Sequence, residues 1–197
     1  MKYLLFTLSA ALILAACTPR YGVIEVIPDD YKNNKNIRLQ YAFDAKERRS
    51  DLQTAYMTFL RVVSADGSEE AGVYVRMNKA VSAFEVKQEG FINADGRKLP
   101  VSLLDRRENV LSETNESTED HSYQDSIGVI HTVTVVTGVS TDSWKQEHFY
   151  IPLTAEHIEA IRNCRSLEFR YYLGPEPATV VVAPGRLEKI RQWLAMR

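Results

Sequence analysis

The chain has 197 residues, with 24 Lys and Arg against 26 Asp and Glu, and a formal charge of −2. Near-balanced charge excludes the basic face of a nucleic-acid binder. Only two cysteines are present, Cys17 and Cys164, so no disulfide framework supports the fold. The length suits one domain with a sizeable core.

The first stretch carries one basic side chain, Lys2, and then an apolar run from Leu4 to Ala16 broken only by Thr7 and Ser9. A permanent transmembrane helix needs about 20 apolar residues, whereas the apolar region of a secretory signal needs about 7–15 followed by small residues. Leu14-Ala15-Ala16-Cys17 then places small side chains directly before a thiol. This tetrapeptide resembles the lipobox of bacterial lipoproteins. The resemblance covers residues 1–17 alone and implies cleavage before Cys17 and acylation of its sulfur. It further implies a cell-envelope protein held by its lipid, palmitate among the acyl chains. Thr18, where an aspartate favours inner-membrane retention in many enteric bacteria, resembles the outer-membrane pattern for a Gram-negative host. Loss of residues 1–16 removes Lys2 and moves the formal charge from −2 to −3. With Cys17 acylated, Cys164 has no intramolecular disulfide partner and is expected as a small buried hydrophobe.

Residues 17–36 are expected to form the lipidated cysteine and a tether, with one alternating segment, Tyr21–Ile27, able to join a sheet edge. The main domain is expected over 37–197. Alternation predicts strands at Ile37–Phe43, Thr54–Ser64, Ala71–Met77, Val81–Lys87 and Lys98–Leu104, with tight turns at Ala65–Ser68 and Asn93–Gly96.

Asn109–Asp125 holds five acids, no Lys or Arg, and few apolar residues. Such composition buries too little to offset ordering entropy and predicts a mobile loop. Its acid spacing does not match a calcium loop. Glu113-Thr-Asn115-Glu-Ser117 resembles the extended bacterial N-glycosylation sequon, a motif short enough for polar sequence to produce by chance.

Ser126–Val139 carries the strongest β pattern, with Ile127, Val129, His131, Val133 and Val135 on one expected buried face. Gly138 and Thr141–Ser143 are expected to end it, and Lys145–Leu153 to return as its hairpin partner. Thr154 is a good N-cap for a helix with Ala155, Ile158 and Ile161 as its buried stripe. Leu167–Leu173 and Thr179–Val182 read as strands. Pro184-Gly185 opens a last helix with Leu187, Ile190, Trp193 and Leu194 on one face.

These elements predict an α+β fold: a twisted antiparallel sheet of about seven to nine strands, with two helices from the C-terminal third packed on one face. A half-barrel around the last helix and an open two-layer sandwich are its two versions.

Familiar chemistry is missing from the pattern. None of the four histidines, His121, His131, His148 and His157, has zinc spacing, and no nucleophile elbow, phosphate loop or dinucleotide fingerprint is present. No cofactor and no metal is expected. His131 is expected as a buried, hydrogen-bonded core histidine, and His131 and His148 are placed to face each other across the expected hairpin. Arg170-Tyr171-Tyr172 is a basic–aromatic cluster, with Tyr171 expected inward and Arg170 and Tyr172 outward. His131, His148, Arg170 and Tyr172 are therefore the candidate ligand or partner residues, and Cys17 the lipidation site. The functional expectation is a membrane-anchored, non-enzymatic module binding an envelope protein, lipid or polymer. The alternative is an envelope hydrolase or metal-dependent enzyme with dispersed catalytic residues.

Overall fold

The computed structural model describes residues 21–196. Cys17, its lipobox and the start of the tether lie outside the described residues.

Ten strands form two antiparallel sheets. β1 (Ile24–Asp29), β2 (Asn34–Phe43), β3 (Leu52–Ser64) and β4 (Glu69–Ala80) run as a meander. β8 (Ile130–Pro152) and β7 (Leu104–Gln124) complete a curled six-stranded sheet in the order β1-β2-β3-β4-β8-β7. β10 (Glu176–Val182), β9 (Leu167–Leu173), β5 (Glu89–Ala94) and β6 (Arg97–Ser102) form the second. Since β1 is hydrogen-bonded along β2 from Ile24↔Leu39 to Asp29↔Asn34, part of the stretch read as tether is sheet.

Alternation puts Ile37, Leu39, Tyr41 and Phe43 of β2, Ala55, Met57 and Phe59 of β3, and Val73, Val75 and Met77 of β4 into one buried cluster. The inward faces of both sheets share that cluster, including Ile92, Phe169, Tyr171 and Val180. Helix α1 (Ala155–Asn163) begins with a capping box in which Thr154 and His157 bond reciprocally. The buried residues of that helix are His157 and Ile161, and Ala155 is exposed, so a histidine takes a place expected of an aliphatic residue. The His157 ring is tied down by Thr154 at Nδ1 and by the Pro100 carbonyl, 3.1 Å from Nε2. Cys164 caps the helix, buried, its thiol pushed up by burial.

Helix α2 (Pro184–Ala195) buries Leu187, Ile190, Trp193 and Leu194. Trp193 lies edge-on to Phe59 at 5.7 Å and donates from Nε1 to the Ile37 carbonyl at 2.9 Å. Arg61, itself buried, donates to the carbonyls of Trp193, Leu194 and Met196 and so caps the negative end of the helix.

The α+β expectation is overturned. Strand accounts for 64% of the described residues and helix for 12%, which makes the fold essentially all-β. Among the described residues the helices are two short ones, beside a curled antiparallel sheet and a second sheet. Three local expectations fall with it. Val81–Lys87 is no strand but the crossing between the sheets, with one bridge from Val86 to Leu173. The acidic stretch Asn109–Asp125 is the outer part of β7, not a loop. β8 runs unbroken through Gly138 and Thr141–Ser143, so Lys145–Leu153 continues the same strand and its hairpin partner is β7. The register slips near Ser117/Thr118, with Gly138↔Ser117 followed by Val136↔Thr118. Thr137 is thus the extra residue of a bulge that the ladder passes through.

Candidate functional site

Two features stand out from the core. The first is an arm. β4 pairs with β8 only from Trp144 to Pro152, so beyond Trp144 the β7–β8 hairpin continues alone, with both outer edges unpaired. From Val110 to Gln124 it extends about 50 Å at the usual strand rise. Its valines and isoleucines are solvent-exposed, among them Ile127 at 82%, Ile130 at 71% and Val139 at 62%. Acids line β7, namely Glu113, Glu116, Glu119 and Asp120, while Asp142 is the one carboxylate on β8 between 130 and 143.

The arm corrects the reading of His131, which is not in the core. It sits near the exposed tip with Nε2 2.8 Å from Asp125 Oδ2, and it stacks on Tyr123 at 5.2 Å. Asp125 also accepts from the Ile127 and Val129 amides, so the two residues together fix the turn. These bonds hold the Asp125 carboxyl below its ordinary range, with the His131 contact the largest cause. His131 and His148 do not face each other. Both lie on β8, 17 positions apart in a strand rising about 3.3 Å per residue.

The second feature is a groove of about 860 Å³ on the outer face of the six-stranded sheet. Tyr56, Arg76, His148 and Arg107 follow one another across it as register partners on β3, β4, β8 and β7. The adjacent row contains Thr58, Tyr74 and Tyr150. The Arg76 guanidinium lies 4.3 Å from the Tyr56 ring centre, and the Tyr74 and Tyr150 rings are 4.7 Å apart. Gly72 makes that floor flat, since a Cβ there would meet the Tyr150 ring at 2.3 Å.

A bulge aims the arginines. Leu104 pairs with Tyr150 but Arg107 with His148, one residue more on β7 than on β8, and Asp105 takes a φ of +54°. Arg106 consequently reaches Glu147 on the core side, and Arg107 lines the groove. Bulges commonly re-aim side chains in this way beside sites.

Among the described residues neither Arg76 nor Arg107 is in an ion pair. Burial, then the charges of Arg76 and Arg107, hold the His148 imidazole below its ordinary value of 6.5. Its Nε2 meets Gln146 Oε1 at 2.9 Å, and Asp105 lines the same groove. A depressed histidine leaves the unfolded chain binding the proton more readily, so stability declines as pH falls through 6.5 toward the folded value. Replacing His148 with Gln removes that part of the slope, as melting temperatures between about pH 8 and pH 5 will show. An unchanged slope contradicts the depression of His148.

Arg170 and Tyr172 form a different surface on the second sheet. Tyr171 is fully buried, while Arg170 lies 5.8 Å from the Tyr172 ring, and Tyr172 packs edge-on to Phe91. The Arg170 charge contributes to lowering the carboxyls of Glu47 and Glu168, so two acids stand near that cluster. The structure brings His148 alone of the candidate residues into the groove. Arg76, Arg107 and the three tyrosines gave no signal in the sequence, because their rows are assembled across four strands. Among the described residues no three metal-ligating side chains converge. Compared with protein-family models, curated proteins and solved structures, the chain matches none.

Proposed function

We propose that the protein is a membrane-anchored lipoprotein of the cell envelope that works as a non-enzymatic interaction module and engages a partner protein through its β7–β8 arm. The observation that carries this reading is the arm itself. An isolated two-stranded ribbon is marginal in water, and exposed apolar strands with open edges are templates for pairing. Both faces carry carboxylates, Glu113 and Glu119 on one and Glu116 and Asp120 on the other, which does not suit the lipid-facing side of a membrane barrel. The β7 edge repels acidic partners, whereas β8 from Ile130 to Ser143 offers a nearly uncharged edge. A partner strand therefore adds along β8, with backbone hydrogen bonds supplying affinity and the valines specificity.

The test is crosslinking in intact cells with a chain in which residues 114–141 are replaced by Asn-Gly, closing the hairpin between the register partners Glu113 and Asp142. The shortened protein keeps its membrane fractionation and its melting temperature within a few degrees, and loses the crosslinked partner. Identical crosslinks with and without the arm refute the reading. Cys17→Ser separately releases the protein from the membrane or stalls its processing. Unchanged fractionation of that variant removes the lipoprotein assignment.

A further inference from the structure

We infer that the groove on the outer face of the six-stranded sheet is a binding site for an anionic saccharide, its carboxylate or phosphate held by Arg76 and Arg107 and its ring stacked on Tyr74 and Tyr150. The inference is independent of the arm.

Charge is the first argument. Two guanidinium groups and an imidazole crowd one cross-strand row without a carboxylate partner for either arginine among the described residues. Like charges held together cost stability, and an anion placed between them relieves that cost while accepting charge-assisted, bidentate hydrogen bonds. Asp105 is the one acid lining the groove among the described residues, and it is not ion-paired to either arginine. The second argument is that the row is built. The bulge at Leu104/Arg107 and the left-handed Asp105 turn Arg107 toward the groove, and Tyr56 supports Arg76 from beneath. Backbone in that region is costly for a non-glycine residue and persists where neighbours hold it.

Shape and polarity select the body of the ligand. The volume falls within the usual range of about 300–1,000 Å³ for small-molecule sites. Tyr74 and Tyr150 line the groove with paired rings, 4.7 Å apart and tilted by 40°, and the tyrosine hydroxyls, Gln40, Thr58 and Asn109 supply hydrogen-bonding groups around them. Rings with hydroxyls along their edges and C–H faces satisfy both, whereas a lipid chain leaves those polar groups unpaired. A phosphosugar and a uronic acid share the chemistry, and the probes separate them.

The experiment titrates the full chain in detergent with glucuronate, glucose 6-phosphate, glucose and inorganic phosphate, by calorimetry and by the histidine ring resonances. Either anionic sugar, or both, binds saturably and at least tenfold more tightly than glucose or phosphate, and the His148 resonances move while those of His121 and His131 stay. Arg76→Gln and Arg107→Gln each weaken binding at least tenfold. Both side chains are exposed and, among the described residues, outside any ion pair, so the variants melt at or above the temperature of the parent. Gly72→Ala, which displaces the Tyr150 ring, weakens the sugars but not phosphate. The inference is overturned by no saturable binding of any probe, by phosphate alone binding as tightly as glucose 6-phosphate, or by binding that survives both arginine substitutions.

Discussion

Replacing Lys79 with Met lowers stability by about 3 kcal/mol, the low end of the usual cost of removing one partner of a buried ion pair, because Glu147 keeps Arg106. Lys79 is fully buried, and its Nζ lies 2.5 Å from Glu147 Oε2, 2.6 Å from Glu108 Oε2 and 2.9 Å from the Phe84 carbonyl. Glu147, also buried, accepts in addition from the Val86 amide and from both ends of the Arg106 fork. The cluster closes one end of the core where β4 and β8 finish their pairing. It also ties the crossing segment, through Phe84 and Val86, to the base of the arm. Urea unfolding followed by circular dichroism measures the loss as a lower midpoint. The paired change Lys79→Met with Glu147→Leu costs less than the sum of the single changes, with a coupling of about 0.5–3 kcal/mol. Part of the loss persists, because the Val86 amide and the Phe84 carbonyl are left unpartnered. Additive single effects overturn the claim that the two charges act as a unit.

Trp193→Ala costs about 3–5 kcal/mol, through the lost transfer energy and the cavity it leaves. The indole is fully buried, contacts Phe59 edge-on, and supplies the hydrogen bond to the Ile37 carbonyl. Helix α2 has no side-chain N-cap bond, so its place depends on this anchor, on Leu187 and Ile190, and on Arg61 at its far end. A chain ending before Arg186 lacks Leu187, Ile190 and Trp193, leaves Arg61 without its carbonyl partners, and does not fold. Trp193→Phe keeps part of the packing, forfeits one hydrogen bond worth about 1 kcal/mol, and costs less than Trp193→Ala. Near-ultraviolet circular dichroism and thermal melting check the series. A stable, cooperatively melting Trp193→Ala protein contradicts the role given to the helix.

The arm explains where reading the residues stops. Composition judges what a segment buries, and Asn109–Asp125 buries little. A strand, however, needs only a partner for its backbone, and β8 provides one along the whole of β7. The same ladder carries His131 out to an exposed tip, although alternation alone put it among core valines. Periodicity says which residues share a face, but not whether anything covers that face.

Signals confined to one element were legible by themselves: the inward rows of β2, β3 and β4, the Thr154 cap, the buried stripe of α2, the burial of Cys164 and the inward Tyr171. Each depends on neighbours a few residues away, where strand and helix geometry fix direction. The all-β class, the arm, the charged cluster around Lys79 and the tyrosine–arginine groove were decided by tertiary structure. Tyr56, Arg76, Arg107 and His148 come from four strands, and only hydrogen-bonded register, closed after the excursion through β5 and β6 and adjusted by one bulge, sets them side by side.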